Sequence, residues 1–512
     1  MMQDKLRNEN GSSDGNVFAL FEAAATANSD RPFLIVGAQP LLTYADMLDE
    51  TGRAAAWLRS QGVGEGDRVL VQAHKSPASV ILYLACLRAG AVFIPLNTAY
   101  QESELAYFLS DAEPSLLVSS PDLPAHSVPF AGERTIISDD LKSAPWSPMA
   151  NHLVTANLQP GDPAAILYTS GTTGRSKGAV LTHGNLLSNV IVLGEAWHWQ
   201  ADDVLLHALP IFHAHGLFVA LHCALLQASP ILFHARFDAD AVLRDIPSAT
   251  VFMGVPTFYT RLLAEPAFDN KMCAGIRLFV SGSAPLLDAT FDEFEKRTGH
   301  FILERYGMTE ALMVTSNPYK GPRISGSVGP ALPGISVRIA AENGLIAKPG
   351  EPGVLEMKGP NMFAGYWRNP EKTAEDHTSD GYFISGDIAT KDEAGYIRIV
   401  GRTKDLIISG GYNVYPKEVE LVIDAIAGVA ESAVIGIAHP DFGEGVVAIV
   451  AREPGAAITA DDITNAVKAE LAAFKRPKAV IIVDELPRNA MGKVQKAELR
   501  KLHQDLFAKV SA

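Results

Sequence analysis

Cysteine is almost missing. Cys86, Cys223 and Cys273 are the three in 512 residues, odd in number and far apart, which excludes a disulfide framework and a cysteine zinc cage. Such sparing use suits a reducing compartment, with a cytoplasmic location expected. A basic surplus is missing too: 43 Lys and Arg face 58 Asp and Glu, for a formal charge of -15. That leaves no basic face of the kind nucleic acid requires, so no nucleic-acid partner is expected. Long apolar runs are absent. The most hydrophobic stretches, 80–87 and 217–228, are short or interrupted by His222, so they read as buried core helices and no membrane span is expected. Residues 1–17 are polar, mixed in charge and without an apolar secretory core, and a short disordered lead is expected there.

What is present is enough apolar material, 47% of the chain, for two or more packed units. Residues 67–72, 77–89 and 91–95 read as strand, helix and strand, the alternation of an α/β layer. The apolar bursts at 164–168, 250–255 and 278–280 each precede a small-residue or proline turn, as buried strands delivering functional loops do. Between 326 and 401 the texture changes to short strands with frequent Gly and Pro, at 336–340, 353–358 and 395–400, which predicts a β-rich subdomain. Beyond 401 comes a compact unit: a helix opened by Pro416 with Val419, Val422, Ile423 and Ile426 on one face, strands at 432–437 and 446–451, a helix carrying Ile463, Val467 and Leu471, and a strand at 479–483. The expected fold is therefore α/β: a large N-terminal domain, 1–401, of layered α/β sheets plus a small β-rich subdomain, followed by a small mobile α+β C-terminal domain, 402–512.

The strongest local signal is the run Tyr168-Thr169-Ser170-Gly171-Thr172-Thr173-Gly174-Arg175-Ser176-Lys177-Gly178. Hydroxyls, backbone N–H groups and one ammonium are what a polyphosphate needs around it. The run is not the P-loop pattern, because no glycine directly precedes Lys177. Gly174–Gly178 fits the G-x-S-x-G nucleophile elbow, but a hydrolase using Ser176 leaves the surrounding Thr, Ser and Lys unexplained. A flexible surface loop would be the ordinary reading of a looser string.

Together with other motifs, this loop resembles the fingerprint of the adenylate-forming superfamily of acyl-CoA synthetases, carrier-loading adenylation domains and luciferases. The set runs in order along nearly the whole chain: Leu42-Thr43-Tyr44-Ala45, Leu87-Arg88-Ala89-Gly90, Ile94-Pro95-Leu96-Asn97, Pro210-Ile211-Phe212-His213, Tyr306-Gly307-Met308-Thr309-Glu310, Tyr382-Phe383-Ile384-Ser385-Gly386-Asp387, Gly401-Arg402-Thr403-Lys404-Asp405, Gly410-Gly411-Tyr412 and Pro487-Arg488-Asn489-Ala490-Met491-Gly492-Lys493. The resemblance implies ATP, Mg2+ and coenzyme A as reactants and cofactor. It implies that Thr169 to Gly174 and Lys177 cradle the phosphates and that Glu310, with Thr172, holds Mg2+ while Thr309 contacts phosphate. Tyr306, flanked by Glu304, Arg305, Gly307 and Met308, would stack on adenine, with Ser283, Ala284 and Pro285 along the nucleotide. Asp387 and Arg402 would take the ribose. Lys493 would bridge the carboxylate and the α-phosphate. Lys404 occupies the hinge position, and Gly410 and Gly411 would line the channel for the pantetheine thiol. Lys493, in an exposed Gly-Lys loop, is also a candidate for a lysine acetyltransferase and deacetylase, since losing its charge would remove its function.

Within the superfamily, Val255-Pro256-Thr257-Phe258-Tyr259-Thr260-Arg261, Ser281-Gly282-Ser283-Ala284-Pro285-Leu286, His213-Ala214-His215-Gly216 and Glu304-Arg305-Tyr306 look like malonyl-CoA synthetases, implying a small dicarboxylate substrate. A second carboxylate in a semi-buried pocket needs a fixed cation, and arginine supplies a planar fork. Arg261, on a helix face shared with Thr257, is the expected anchor, with Ser283 adding a hydroxyl, His213 gating the pocket, His215 donating nearby and Met308 lining it. His213, His215 and His222 lack an acidic or cysteine companion, which disfavours zinc. Ala311, Leu312 and Val314 around Met313 depart from the more polar residues of such relatives, implying an apolar pocket floor and bringing methylmalonate into play. The alternatives are a CoA ligase for oxalate or an aryl acid and a stand-alone carrier-loading adenylation enzyme.

Overall fold

The computed structural model describes residues 15–37, 39–151, 154–169, 176–341, 344–410, 412–489 and 492–507. The expected lead at the N-terminus therefore lies largely outside the described residues. Two large sheets form the main body. One has seven strands in the order Gly365–Tyr366, Lys177–Thr182, Pro163–Thr169, Val92–Pro95, Arg68–Gln72, Leu116–Ser119 and Glu133–Ile136. The other has eight, running Leu312–Ser316, Ile302–Met308, Leu278–Ser281, Val251–Gly254, Leu205–His207, Ile231–Phe233, Pro32–Val36 and Gln39–Thr43.

Both sheets are apolar on two faces, as parallel strands covered on each side must be. Val69, Phe93 and Leu167 of the first sheet share one core with Val251, Val280 and Leu303 of the second. Alternate residues of the same strands, Leu70, Ile94 and Ile166, turn outward under the helix Glu102–Ala112. Phe252, Phe279 and Ile302 do the same under Pro256–Leu263 and Asp288–Thr298. The helix Pro77–Ala89 lies within the shared core and is buried along its whole length. Its ends are well specified: a capping box of Ser76 and Ser79, proline in the first turn, and Gly90 in the left-handed region at the end.

A third, antiparallel sheet, Ser336–Ala340, Gly353–Lys358, Phe383–Lys391 and Ile397–Arg402, is the expected β-rich subdomain. The small unit follows. Its sheet pairs Val429–His439 with Gly443–Arg452 antiparallel, adds Ala479–Val483 parallel and Ile407–Ser409 antiparallel, and has its own core around Val419, Ile423, Val434, Ile463 and Val467. The chain departs from its expected pattern at His215–Leu221, which forms a wide π-helix instead of an ordinary core helix. Such segments recur at functional sites. Among the described residues no helix is long and apolar enough to cross a membrane.

Asn361, 1% exposed, donates from Nδ2 to the carbonyls of Ala311 and Met313 and so fixes the turn that carries Glu310. Asn361→Ala leaves two buried carbonyls unpaired, at about 2 kcal/mol. A lower thermal unfolding midpoint measured by calorimetry is the expected outcome.

Candidate functional site

The run expected to hold phosphate is flanked by a hairpin in which Thr169 pairs with Lys177 across Pro163–Thr169 and Lys177–Thr182. Ser170, Gly171, Thr172, Thr173 and Gly174 lie outside the described residues. Lys177 Nζ sits 4.8 Å from the centre of the Tyr366 ring. Tyr366 Oη donates to Glu310 Oε1 at 3.1 Å, and Thr169 Oγ1 approaches the same oxygen at 3.4 Å. Burial pushes the Glu310 carboxyl above its ordinary range. Glu310 is reached by the antiparallel hairpin Ile302–Met308 and Leu312–Ser316, with Thr309 and Glu310 in its turn. Gly307 must be glycine here: a Cβ would lie 2.0 Å from the Leu312 carbonyl oxygen. One buried carboxylate with the Thr169 hydroxyl beside it fits Mg2+, which takes one or two carboxylates and completes its shell from substrate phosphates and water. No group of three or more His, Cys, Asp or Glu able to hold a metal occurs among the described residues.

On the nucleoside side, adjacent strands set Asp387 opposite Arg402. Arg402 Nε donates to Asp387 Oδ1 at 2.8 Å and Tyr306 Oη to Oδ2 at 2.5 Å, so three residues widely separated in the sequence form one cluster. Met308 Sδ lies 3.8 Å from Tyr306 Oη. Glu304 accepts from the Gly326 N–H at 3.2 Å, and burial pushes its carboxyl up to about 8.

The acyl side lies at the end of Leu278–Ser281. Gly282, Ser283, Ala284 and Pro285 follow that strand, and Ser283 holds a left-handed backbone at φ 71°. Ser283 Oγ is 3.3 Å from His215 Nδ1, while His215 Nε2 is buried with no partner among the described residues. His213, half-buried against Phe212, is pushed down to about 4 by burial; both imidazoles are thus neutral at physiological pH.

The enclosed cation is Arg305. It is 3% exposed, its Nε and Nη2 have no hydrogen-bond partner, and no carboxylate among the described residues pairs with it. Its guanidinium lies where a Cβ on Gly282 would be, 2.4 Å from that position, and burial pushes it down to about 9. Arg261, the expected anchor, is instead exposed on the helix Pro256–Leu263. The neighbouring strands, invisible in a single sequence, decide which arginine is shut in. Ala311, Leu312, Met313 and Val314 are buried in the main core, with Met313 N–H on Asn189, so they are packing residues first; only Met313, beside Gly307, approaches the site.

The small unit closes this assembly. Gly492, at φ 72°, sits so close to Thr257 that a Cβ would meet its Oγ1 at 2.8 Å. Asn489 grips Lys493 through two hydrogen bonds of 3.0 Å, its Oδ1 accepting from the Lys493 N–H and its own N–H donating to the Lys493 carbonyl. Lys493 is half-buried, not on an exposed loop as expected, within electrostatic reach of Arg402, Asp387, Lys404 and Asp405; burial and the Arg402 charge push it down to about 8. Lys404 is exposed on the short turn Thr403–Asp405, where Asp405 pairs with Arg500 at 2.6 Å. Gly410, at φ 60°, donates its N–H to the Phe442 carbonyl at 2.8 Å; Gly411 lies outside the described residues. Tyr366 was not anticipated. Its link to Glu310 spans 56 positions and leaves no local pattern.

Residues 21–367 match the AMP-binding enzyme family, and residues 418–493 match the AMP-binding enzyme C-terminal domain. With this site geometry, the chain belongs to the AMP-binding enzymes of the adenylate-forming superfamily and is an AMP-forming acid–thiol ligase. The crystal structure of ATP-bound MatB from Rhodopseudomonas palustris is 48% identical, covers 96% of this chain and 100% of its own, and superposes with a TM-score of 0.93. The malonate–CoA ligase of Arabidopsis thaliana is 36% identical over 495 residues, 88% of this chain and 81% of the relative. A feruloyl-CoA synthase from an Amycolatopsis species is 37% identical over 469 residues, 90% of this chain and 94% of the relative.

Proposed function

We propose that the enzyme joins malonate to coenzyme A through a malonyl-AMP intermediate, releasing pyrophosphate and AMP. One observation carries the choice of acid: the guanidinium of Arg305, buried beside Ser283 and His215 without a carboxylate. A cation in that position calls for an anion from the substrate. One such pair at about 4 Å is of order 4 kcal/mol at an effective dielectric of about 20, set against the cost of desolvating both groups. A diacid meets this need after its other carboxylate has been committed to the phosphate; a monoacid or a feruloyl-type aryl acid does not. The likeness to malonate–CoA ligases supports this reading. A methyl substituent next to Met308 and Met313 would contact soft apolar surface, so methylmalonate is the expected second substrate.

The division of labour follows from the charges. Thr169 and Lys177 hold the leaving pyrophosphate, and Glu310, with Thr172, holds Mg2+, which offsets phosphate charge. Asp387 and Arg402 seat the ribose, and Tyr306 covers the base. The free carboxylate attacks the α-phosphate, and Lys493 lies between the two anions where negative charge redistributes. For thioester formation the small domain, 402–512, turns about Lys404 and withdraws Lys493, and Gly410 and Gly411 line the path by which the pantetheine thiol reaches the adenylate. Three buried free cysteines fit a reducing compartment, and we assign the enzyme to the cytoplasm.

Arg305→Leu is expected to raise the malonate KM about a hundredfold with a far smaller change for acetate or propionate, and the exposed Arg261→Leu to have the lesser effect. Equal losses for diacid and monoacid in a pyrophosphate-release assay would place the anchor elsewhere.

Lys493→Ala should lose pyrophosphate release yet still convert supplied malonyl-adenylate to malonyl-CoA; parallel loss in separate assays of the two halves would contradict this assignment. In the wild type, kcat/KM for pyrophosphate release should decline as pH rises through about 8, where Lys493 of the free enzyme gives up its proton. Lys493→Arg should flatten that limb of the pH profile.

A further inference from the structure

Behind the acyl pocket lies a second buried lysine that the reaction scheme does not use. Lys75, 9% exposed, stands in the loop between the strand Arg68–Gln72 and the helix Pro77–Ala89. Its Nζ is 2.8 Å from both Nδ1 and the backbone carbonyl of His207 and 4.6 Å from the centre of the Phe233 ring, and no carboxylate among the described residues pairs with it. His207, 1% exposed, ends the strand Leu205–His207. Its Nε2 lies 2.9 Å from the carbonyl of Gly216. A carbonyl only accepts, so Nε2 carries the proton and the bare Nδ1 accepts from the Lys75 Nζ. The His207 carbonyl also accepts from the His234 N–H at 3.1 Å, and His234 in turn pairs with Asp245 at 2.9 Å.

The chain of donors has one direction, from Lys75 through the His207 ring to Gly216. Gly216 is held from the other side as well, since a Cβ there would meet the Pro210 carbonyl oxygen at 2.1 Å. Gly216 is the second residue of the wide helix His215–Leu221, so its carbonyl sets the position of His215, which faces Ser283 across 3.3 Å. We propose that Lys75 and His207 are positioning residues: a lysine–imidazole relay that clamps the wide turn presenting His215 to the acyl group. This inference rests on the acyl-pocket reading above but not on malonate being the acid.

The test uses the full-length enzyme and whichever acid the wild type prefers in a substrate panel, so failure of the malonate assignment shows separately. Lys75→Met removes the ammonium. His207→Asn keeps an acceptor near Nδ1 but loses the donor to Gly216. His207→Gln places an amide N–H near Nε2 and keeps that donor. The relay predicts that Lys75→Met and His207→Asn raise the acid KM about tenfold with the ATP KM within about twofold of wild type, and that His207→Gln restores most of the acid affinity. Acid and ATP KM shifting together in all three variants, or an unchanged acid KM in Lys75→Met, would overturn it. Should Lys75→Met fail to unfold cooperatively, the two His207 variants decide the matter: a selective rise in acid KM in His207→Asn that is relieved in His207→Gln supports the relay, and equal values in the two contradict it.

Discussion

A guanidinium kept from water without a carboxylate is costly, and the acyl side of this protein is arranged around one. Arg305 projects from a central strand against Gly282, where an added side chain would take its place. The groups around it add no compensating negative charge: Ser283 is a hydroxyl, and His213 and His215 are held neutral by burial. Such a site binds weakly to a neutral group and disfavours an added cation. An anion would complete it, and under the proposed function charge is then the first filter on the substrate.

The phosphate side has the opposite problem. In the proposed reaction the nucleotide and the attacking acid are both anions, and the main body sets Lys177 over the Tyr366 ring but also buries the carboxylates of Glu310 and Asp387 in the proposed site. The cation proposed to offset them is Lys493 of the small unit. Gly492, lacking a side chain, lets the loop settle on Thr257, and the same helix that bears Thr257 carries Arg261 one turn on.

Much of this was legible in the sequence. Several buried strands announced themselves as apolar bursts ending in a turn, as at 164–168, because parallel strands covered on both faces need apolar residues throughout; the short Leu205–His207 and Ile231–Phe233 did not. The residues proposed for the nucleotide stood out because phosphate binding concentrates small, hydroxylated and charged residues in short turns. The arginine assignment was not. In one dimension Arg261 alone reads as the anchor, and only the packing of Leu278–Ser281 beside Ile302–Met308 shows that Arg305 is shut in while Arg261 is exposed. Tyr366 with Glu310 and Lys75 with His207 were hidden for the same reason: their meaning lies in contacts across sheets, and a wide helix has no hydrophobic period to announce it.

The most direct measurement is of the wild-type enzyme: pyrophosphate release with ATP, Mg2+ and coenzyme A across malonate, methylmalonate, oxalate, acetate, propionate, benzoate and ferulate. Highest kcat/KM for malonate, with methylmalonate next and the monoacids and aryl acids far below, is the expected result. A preference for ferulate or benzoate would mean that the buried guanidinium serves something other than the acid, and the reading of the pocket would fail.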